Sequence, residues 1–259
     1  MNTFIQNIKQ NMFAIHQLTE RDKRRENSAT FLGELWEILN PLILTVVMFL
    51  VFGNMLWTEA SDDYPIFILT GTTLFSYFTQ GTSACLVSLV GNKNLLIKSK
   101  LRRNIYVTQK IALVFRNFLL SLFVYAFLLA WNHHTPNISW VLVIVDITFF
   151  SAMIIGIGKI LAVANVFFAD TTYFYRIFTV FLLYGSALFF DASRYPAIIK
   201  DIIMINPVYD AIYIARELIL HNQIVPTIYW CMLFFYAIVL YFVGALIFNK
   251  YSDDVVANL

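Results

Sequence analysis

The sequence predicts an all-α integral membrane protein with six transmembrane helices, an N-terminal interfacial amphipathic helix and a re-entrant outer hairpin before the last helix. Composition is the first reason, because 59% of the 259 residues are hydrophobic and 13% are charged, with a mean hydropathy of +0.70. A soluble domain is roughly half apolar and about a quarter charged. The apolar residues also form blocks long enough to cross a hydrocarbon core of about 30 Å as helices. A chain in lipid must satisfy its own backbone hydrogen bonds, which favours helices.

The first element, within residues 1–37, is a cytoplasmic amphipathic helix followed by a basic linker. Apolar residues recur there every three or four positions: Phe4, Ile8, Met12 and Ile15. On a helix they share one face. We expect this face to lie on the inner leaflet. The alternative is that it packs against the protein's own helices.

Residues 38–259 are interpreted as one six-helix transmembrane domain. The predicted spans are 38–57, 65–90, 111–131, 140–168, 173–190 and 228–248. The second and fourth spans exceed one bilayer thickness, which indicates tilt or extension beyond the membrane. Asp146 and Lys159 share the fourth span, but their separation of thirteen residues corresponds to roughly 20 Å, so they cannot pair on one straight helix.

The distribution of Lys and Arg predicts the orientation. Cations concentrate in the N-terminal segment and in the loop after the second span, whereas residues 58–64 and 132–137 contain none. By the positive-inside bias, the cation-rich segments are cytoplasmic. The protein is therefore expected to be a multi-pass plasma-membrane protein with both termini in the cytoplasm.

The cytoplasmic loop 91–104 mixes cations with apolar residues. This pattern suits a short helix with an apolar face for docking and a basic face. The alternative is a basic loop that only fixes the topology. The candidate coupling residues are Asn94, Leu95, Leu96, Ile97, Lys98, Arg102 and Arg103.

The outer segment 191–227 contains two apolar runs, 198–205 and 208–220, on either side of Asn206 and Pro207. Each run is too short and too polar to span the membrane. Together they fit a re-entrant helical hairpin, which is tolerated at membrane depth only against protein or a water-filled cavity. Asn206, Pro207 and Tyr209 are the candidate outer gate.

The sequence predicts no catalytic site and no metal or cofactor site in this chain. The stretch around Gly156 and Lys159 superficially resembles a phosphate loop, but Met153 and Ile160 occupy positions where that loop requires Gly and Ser or Thr. Nucleophile elbows, zinc-binding helices and clustered metal ligands are also missing from the sequence. ATP hydrolysis and nucleic-acid binding are therefore not expected of it.

Two cations embedded in the predicted spans are candidates for a substrate pathway. An ionised group at membrane depth usually faces water or a partner. Arg116 lies about one turn inside its span, so snorkelling to the inner interface is the alternative. For Lys159, pathway lining and structural pairing both remain open.

Three motifs carry a resemblance to a known family. They are LGELWEILNP (32–41), NPVYDAIYIARELIL (206–220) and the C-terminal stretch 250–259. With the six spans and the basic inner loop, they resemble the permease subunit of an ABC-2 type exporter, and most closely the wall teichoic acid permeases. The similarity extends over nearly the whole chain. The motif that opens the first span comprises Leu32, Gly33, Trp36, Asn40 and Pro41.

The resemblance implies a half-transporter. Two copies would form a conduit, and two separate ABC ATPase subunits would bind ATP and Mg²⁺. The cargo would be a wall teichoic acid on a polyprenyl diphosphate lipid, moved from the inner to the outer leaflet, with membrane lipids around the homodimer. Arg24, Arg25, Arg102 and Arg103 would attract the diphosphate. The alternatives are a lipid-linked O-antigen or capsular polysaccharide exporter, a stand-alone secondary transporter or channel, and an intramembrane enzyme.

Overall fold

The fold consists of α-helices throughout the part of the chain that the computed structural model describes, residues 2–27, 31–33, 35–56, 63–98, 101–132 and 137–258. The predicted all-α class is therefore confirmed for these residues. In chain order the helices are α1 (Asn2–Asn27), α2 (Leu35–Leu56), α3 (Tyr64–Leu86), α4 (Lys93–Lys98), α5 (Asn104–Trp131), α6 (Trp140–Phe167), α7 (Thr171–Gly185), α8 (Ala197–Met204), α9 (Pro207–Ile219) and α10 (Thr227–Asn258). Short 3-10 turns occupy Val90–Asn92 and Ala192–Arg194.

Three of the described helices are long and apolar enough to cross a membrane: α5, α6 and the Thr227–Val256 part of α10. The chain is thus an integral membrane protein. Helices α2 and α3 occupy the first two predicted spans with 22 and 23 residues. Helix α7 has 15 residues, about 22 Å of helix, less than a hydrocarbon core of about 30 Å. The count of six spans stays a prediction.

Several helix ends differ from the predicted span ends. Helix α5 begins at Asn104, seven residues before the predicted span, and α10 continues ten residues past it. Hydropathy detects only the apolar block, whereas these extensions bury Tyr106, Val107 and Val255 in one cluster. The loops at 57–62 and 133–136, on which part of the orientation argument depends, lie outside the described residues.

The closest packing in the bundle joins α6 and α10, whose contact is the most extensive between two helices. Gly156 on α6 lies directly against the backbone of Leu240 and Tyr241, and Gly244 on α10 lies against the backbone of Gly156. A Cβ atom at either glycine would collide with main-chain atoms. These two glycines let the helix axes approach to backbone contact.

Helix α9 lies inside the bundle, against α3, α6 and α10. Ten of its thirteen residues are buried, and six of these join the main hydrophobic cluster with Phe78, Phe150 and Met153. Helix α8, by contrast, exposes Ile198, Ile202 and its following residue Ile205. The two predicted apolar runs around Asn206 are therefore two helices, one outside and one inside the bundle. Their re-entrant position in a membrane stays a prediction.

Helix α1 packs against α5 through its second half. Thr19 and Asp22 are buried there, while Met12, on the predicted membrane face, is 65% exposed. The side chains of Phe4 and Ile8 lie outside the described residues. The residues of α1 that contact α5 are thus different from Met12, which is exposed and available to contact a lipid surface.

Candidate functional site

The coupling segment forms α4 and the stretch that leads into α5. Leu96 is 6% exposed and belongs to the cluster that contains Tyr106, Phe248 and Val255. Leu95 and Ile97 are 39% and 55% exposed. Leu96 therefore anchors α4 to this chain, and the exposed apolar side chains of α4 are Leu95 and Ile97.

Two polar residues of the coupling segment, Arg102 and Arg103, border an open groove. Asn94, Lys98 and Arg102 are exposed, whereas Arg103 donates a hydrogen bond to Ser252 Oγ at 2.7 Å and forms an ion pair with Asp253. The groove has a volume of about 530 Å³, with Leu96 and Phe248 in its lining and both arginines at its edge. Of the coupling residues predicted from the sequence, Leu96, Arg102 and Arg103 line this groove. The others are exposed on the surface: Asn94, Leu95, Ile97 and Lys98.

A buried carboxylate fastens α1 to this end of the bundle. Asp22 accepts hydrogen bonds from Arg21 Nε at 2.9 Å and Gln109 Nε2 at 3.0 Å, and Lys110 Nζ lies 2.8 Å away. Arg21 also donates to Asn92 Oδ1 at 2.9 Å, directly before α4. Burial raises the pKa of Asp22, but the bonds and charges of Lys110 and Arg21 outweigh it, so the pKa lies below its ordinary value. The network ties α1, α4 and α5 together.

The motif that opens α2 begins with a tight turn. Gly33 has φ of 49°, a left-handed conformation that favours glycine. The turn is closed by hydrogen bonds from the backbone N–H groups of Leu35 and Trp36 to the carbonyls of Leu32 and Gly33. Trp36 and Asn40 are exposed on α2. Pro41 continues the helix, and its side chain lies outside the described residues.

The predicted pathway cations fall into two environments. Arg24 and Arg25 are exposed on the last turn of α1, at the end of the bundle that carries α4. Arg116 is half-buried on α5 and interacts with a neighbour. Lys159 is 7% exposed, and its Nζ lies 5.2 Å from the ring centroid of Tyr241. The structure gives these four residues no common site.

The candidate outer gate is a joint between helices. Asn206 Oδ1 accepts a hydrogen bond from the backbone N–H of Val208 at 3.0 Å and so caps α9, while Pro207 occupies the first turn. The Nδ2 group of Asn206 donates to the Gly185 carbonyl and to Ser186 Oγ, both at 2.9 Å. Tyr209 is buried and stacks on Tyr213 with ring centroids 5.6 Å apart. This joint connects the end of α7 to the start of α9.

The chain is similar in sequence to proteins of a known family. The family model described as "ABC-2 type transporter" matches residues 14–220. The chain belongs to the ABC-2 type transporter family. Two relatives from Klebsiella pneumoniae, both named O-antigen export system permease protein RfbA, are 25% identical over 237 and 235 residues, covering 90% of each chain. A relative of the same name from Myxococcus xanthus is 25% identical over 105 residues, covering 40% of each chain.

Two buried charged residues of this ABC-2 permease were not predicted from the sequence. Arg216 on α9 donates hydrogen bonds to the carbonyls of Phe67, Ala187 and Leu188 at 3.2, 2.8 and 2.7 Å. Asp210, one and a half turns earlier, is fully buried and its carboxylate has no hydrogen-bond partner in the structure. The available signal was three charges within the apolar run 208–220, Asp210, Arg216 and Glu217. Their positions do not identify which of them are buried or what they contact.

Proposed function

We propose that this chain is the transmembrane subunit of an ATP-driven exporter, which moves a polysaccharide on a polyprenyl diphosphate lipid from the inner to the outer leaflet of the plasma membrane. The observation that carries the proposal is the family match over residues 14–220. The two relatives that align with 90% of the chain, both named as O-antigen export permeases, support the class of cargo.

The proposed assembly contains two copies of this chain and two ABC ATPase subunits, which bind ATP and Mg²⁺. The end of the bundle with α4 faces the cytoplasm, because its exposed cations follow the positive-inside bias. Leu95 and Ile97 give an ATPase an apolar anchor, and Lys98 and Arg102 give it a polar rim. Arg24, Arg25, Arg102 and Arg103 attract the diphosphate of the lipid.

The test is transport in proteoliposomes that contain the chain with an ABC ATPase encoded beside it. A polyprenyl-diphosphate-linked oligosaccharide in the outer leaflet of inside-out vesicles should move inward only when both subunits and ATP are present. Omitting the ATPase, or replacing ATP with a non-hydrolysable analogue, is the control. Transport by this chain alone would instead establish a secondary transporter or channel.

A wall teichoic acid is the second candidate cargo, and Lys159 is the observation that favours it. Its ammonium group is buried on α6 without an ion pair in the described part of the chain, and only the Tyr241 ring lies over it. A cation in a conduit attracts a polyanion. Under this alternative, Lys159→Gln slows export of a poly(glycerol phosphate) much more than export of a neutral glycan on the same lipid. Equal slowing of both polymers returns Lys159 to a structural role.

A further inference from the structure

A polar cavity lies between α2, α3 and α5, where lipid or an apolar core would be expected. Hydroxyl and amide side chains from all three helices line it: Asn40, Thr73, Ser76, Gln80, Asn117 and Ser121. On α3 the spacing from Thr73 to Gln80 is i, i+3 and i+7, and on α5 Asn117 and Ser121 are four residues apart, so each set shares one helix face. These positions lie in the middle of α3 and α5 rather than at their ends.

Most of these polar groups have no hydrogen-bond partner among the described residues. Thr73 is 5% exposed, and its Oγ1 atom is buried without a hydrogen bond. The side chains of Asn40, Ser76, Gln80 and Asn117 also make no hydrogen bond within the described part of the chain, and those of Asn40 and Gln80 are exposed. An unpaired polar group is unfavourable in an apolar environment, and lipid supplies no donors or acceptors. The cavity therefore requires a polar occupant.

Aromatic rings complete the lining. Tyr77 and Phe118 border the cavity and stack on each other with ring centroids 4.5 Å apart. The Tyr77 hydroxyl is already bonded to Ser151 Oγ at 2.8 Å, so Tyr77 contributes its ring. Apolar rings combined with a few convergent polar groups are the usual lining of a site for a small organic ligand.

The size of the cavity limits what it can hold. The cavity has a volume of about 90 Å³ and is open on one side. A sugar ring would therefore present one edge with its hydroxyl groups rather than enter whole. Each hydroxyl is both donor and acceptor, and amide side chains offer both as well.

We infer that this cavity binds the hydroxyl groups of uncharged sugar residues as the polymer passes, and that it selects a neutral glycan over a polyanion. The inference rests on the proposed export of a lipid-linked polysaccharide and assigns its substrate class. The described lining residues are all uncharged, whereas phosphate recognition usually employs Arg or Lys.

The experiment compares two cargoes in proteoliposomes with the ABC ATPase. One is an oligomannose and the other a poly(glycerol phosphate) of equal length, both on polyprenyl diphosphate. The wild type should export the oligomannose faster. Gln80→Leu and Asn117→Leu should each slow it about fivefold, the effect of losing one hydrogen bond of about 1 kcal/mol, with little change for the polyanion.

Matched controls lie on the same helices outside the cavity. Thr79→Val on α3 and Thr108→Val on α5 remove hydroxyls that bond back to the carbonyls of Phe75 and Asn104, and export should be unchanged. Assembly of each variant with the ATPase verifies its folding. If the Leu variants do not assemble, Ser76→Ala tests the cavity instead and is expected to slow export of the oligomannose about twofold.

The two hypotheses fail in different ways. If the wild type moves neither polymer with ATP, the proposed function is wrong. If it exports both equally or prefers the polyanion, or if the cavity variants export oligomannose like the controls, export stands and the inference is wrong.

Discussion

The buried guanidinium group of Arg216 is stabilised by hydrogen bonds to backbone carbonyls instead of by a carboxylate. Its guanidinium group donates to carbonyls on α3 and beyond the end of α7, and lies 3.5 Å from the ring centroid of Phe67. A side chain at Gly71 would collide with it, so glycine there leaves space for the guanidinium. Arg216 thus fixes α9 to α3 and to the segment after α7.

Replacing Arg216 should destabilise the permease strongly. Arg216→Gln leaves buried carbonyls unsatisfied, at about 1–3 kcal/mol for each, and Arg216→Lys should recover only part of the loss because an ammonium lacks the planar fork. The measurement is the thermal unfolding midpoint in detergent. Arg176→Gln, which changes an exposed arginine on α7, is the control. If Arg216→Gln unfolds at the same midpoint as that control, Arg216 does not fix α9 to α3.

The second residue-scale prediction concerns pH. Because the folded pKa of Asp22 lies below its ordinary value, its stabilisation of α1 is complete above the unfolded pKa of about 3.9 and is lost as pH falls through the lower folded value. Asp22→Asn should loosen α1 at neutral pH, since charged hydrogen bonds contribute about 1.5–3 kcal/mol. Amide exchange in α1 should rise about tenfold or more and lose its acid dependence. Glu20→Gln is the charge-matched control, and equal exchange in both variants would exclude the role of Asp22.

Sequence reasoning at this scale succeeded where the signal was local. The apolar run 208–220 was predicted to form a helix after Asn206, and α9 begins at Pro207 with Asn206 as its cap. Arg216 contacts carbonyls 28 to 149 positions away, which local pattern cannot specify. Leu96 was recognised as apolar, but its cluster includes Phe248 and Val255, which lie more than 150 positions away in sequence.

At the scale of helices, the apolar blocks predicted where the long helices lie because hydrophobic length is itself the requirement for crossing lipid. Their pairing was not predictable from composition. The α6–α10 contact depends on Gly156 and Gly244, two glycines in different apolar blocks. Small residues allow close approach of membrane helices, but nothing in either block alone indicates which glycine meets which backbone.

Adding a side chain at this contact should separate the helices. Gly156→Ala and Gly244→Ala each place a Cβ against main-chain atoms that cannot rotate away, and overpacking of this kind costs about 1–3 kcal/mol or more. The readout is the yield and unfolding midpoint of the purified permease. Gly91→Ala, where a Cβ meets no atom within 4 Å, should behave like the wild type. Normal stability of both bundle variants would refute the backbone contact.

At the scale of the whole molecule, topology is testable by labelling. Single cysteines that replace Asn94 and Asn222, both exposed, should differ in their reactivity with an impermeant thiol reagent in intact cells. The cation-rich end at Asn94 should be protected, and Asn222 should react. Cell lysis, which exposes both sites, is the control. Labelling of Asn94 from outside would overturn the proposed orientation.

Assembly gives a further prediction. Ile97→Asp and Leu95→Asp place a charge on the exposed face of α4 and should abolish co-purification of the ATPase by removing the apolar anchor. The permease itself should remain stable. Leu96→Asp is the contrasting variant, because it buries a charge among Tyr106 and Phe248 and should destabilise the chain. Retained association in both exposed-face variants would remove α4 from the interface.

Because α6 and α10 are in backbone contact at Gly156 and Gly244, a tilt of α10 must involve α6 as well. At the C-terminal end of α10, Phe248 and Val255 share a cluster with Leu96 of α4. Helix α10 has 32 residues, so a tilt of about 5° about that end displaces the other end, about 48 Å away, by about 4 Å. There the ring of Tyr229 lies 4.7 Å from that of Tyr213 on α9. Any tilt of α10 about its α4 end would therefore shift the ring of Tyr229 relative to Tyr213 on α9.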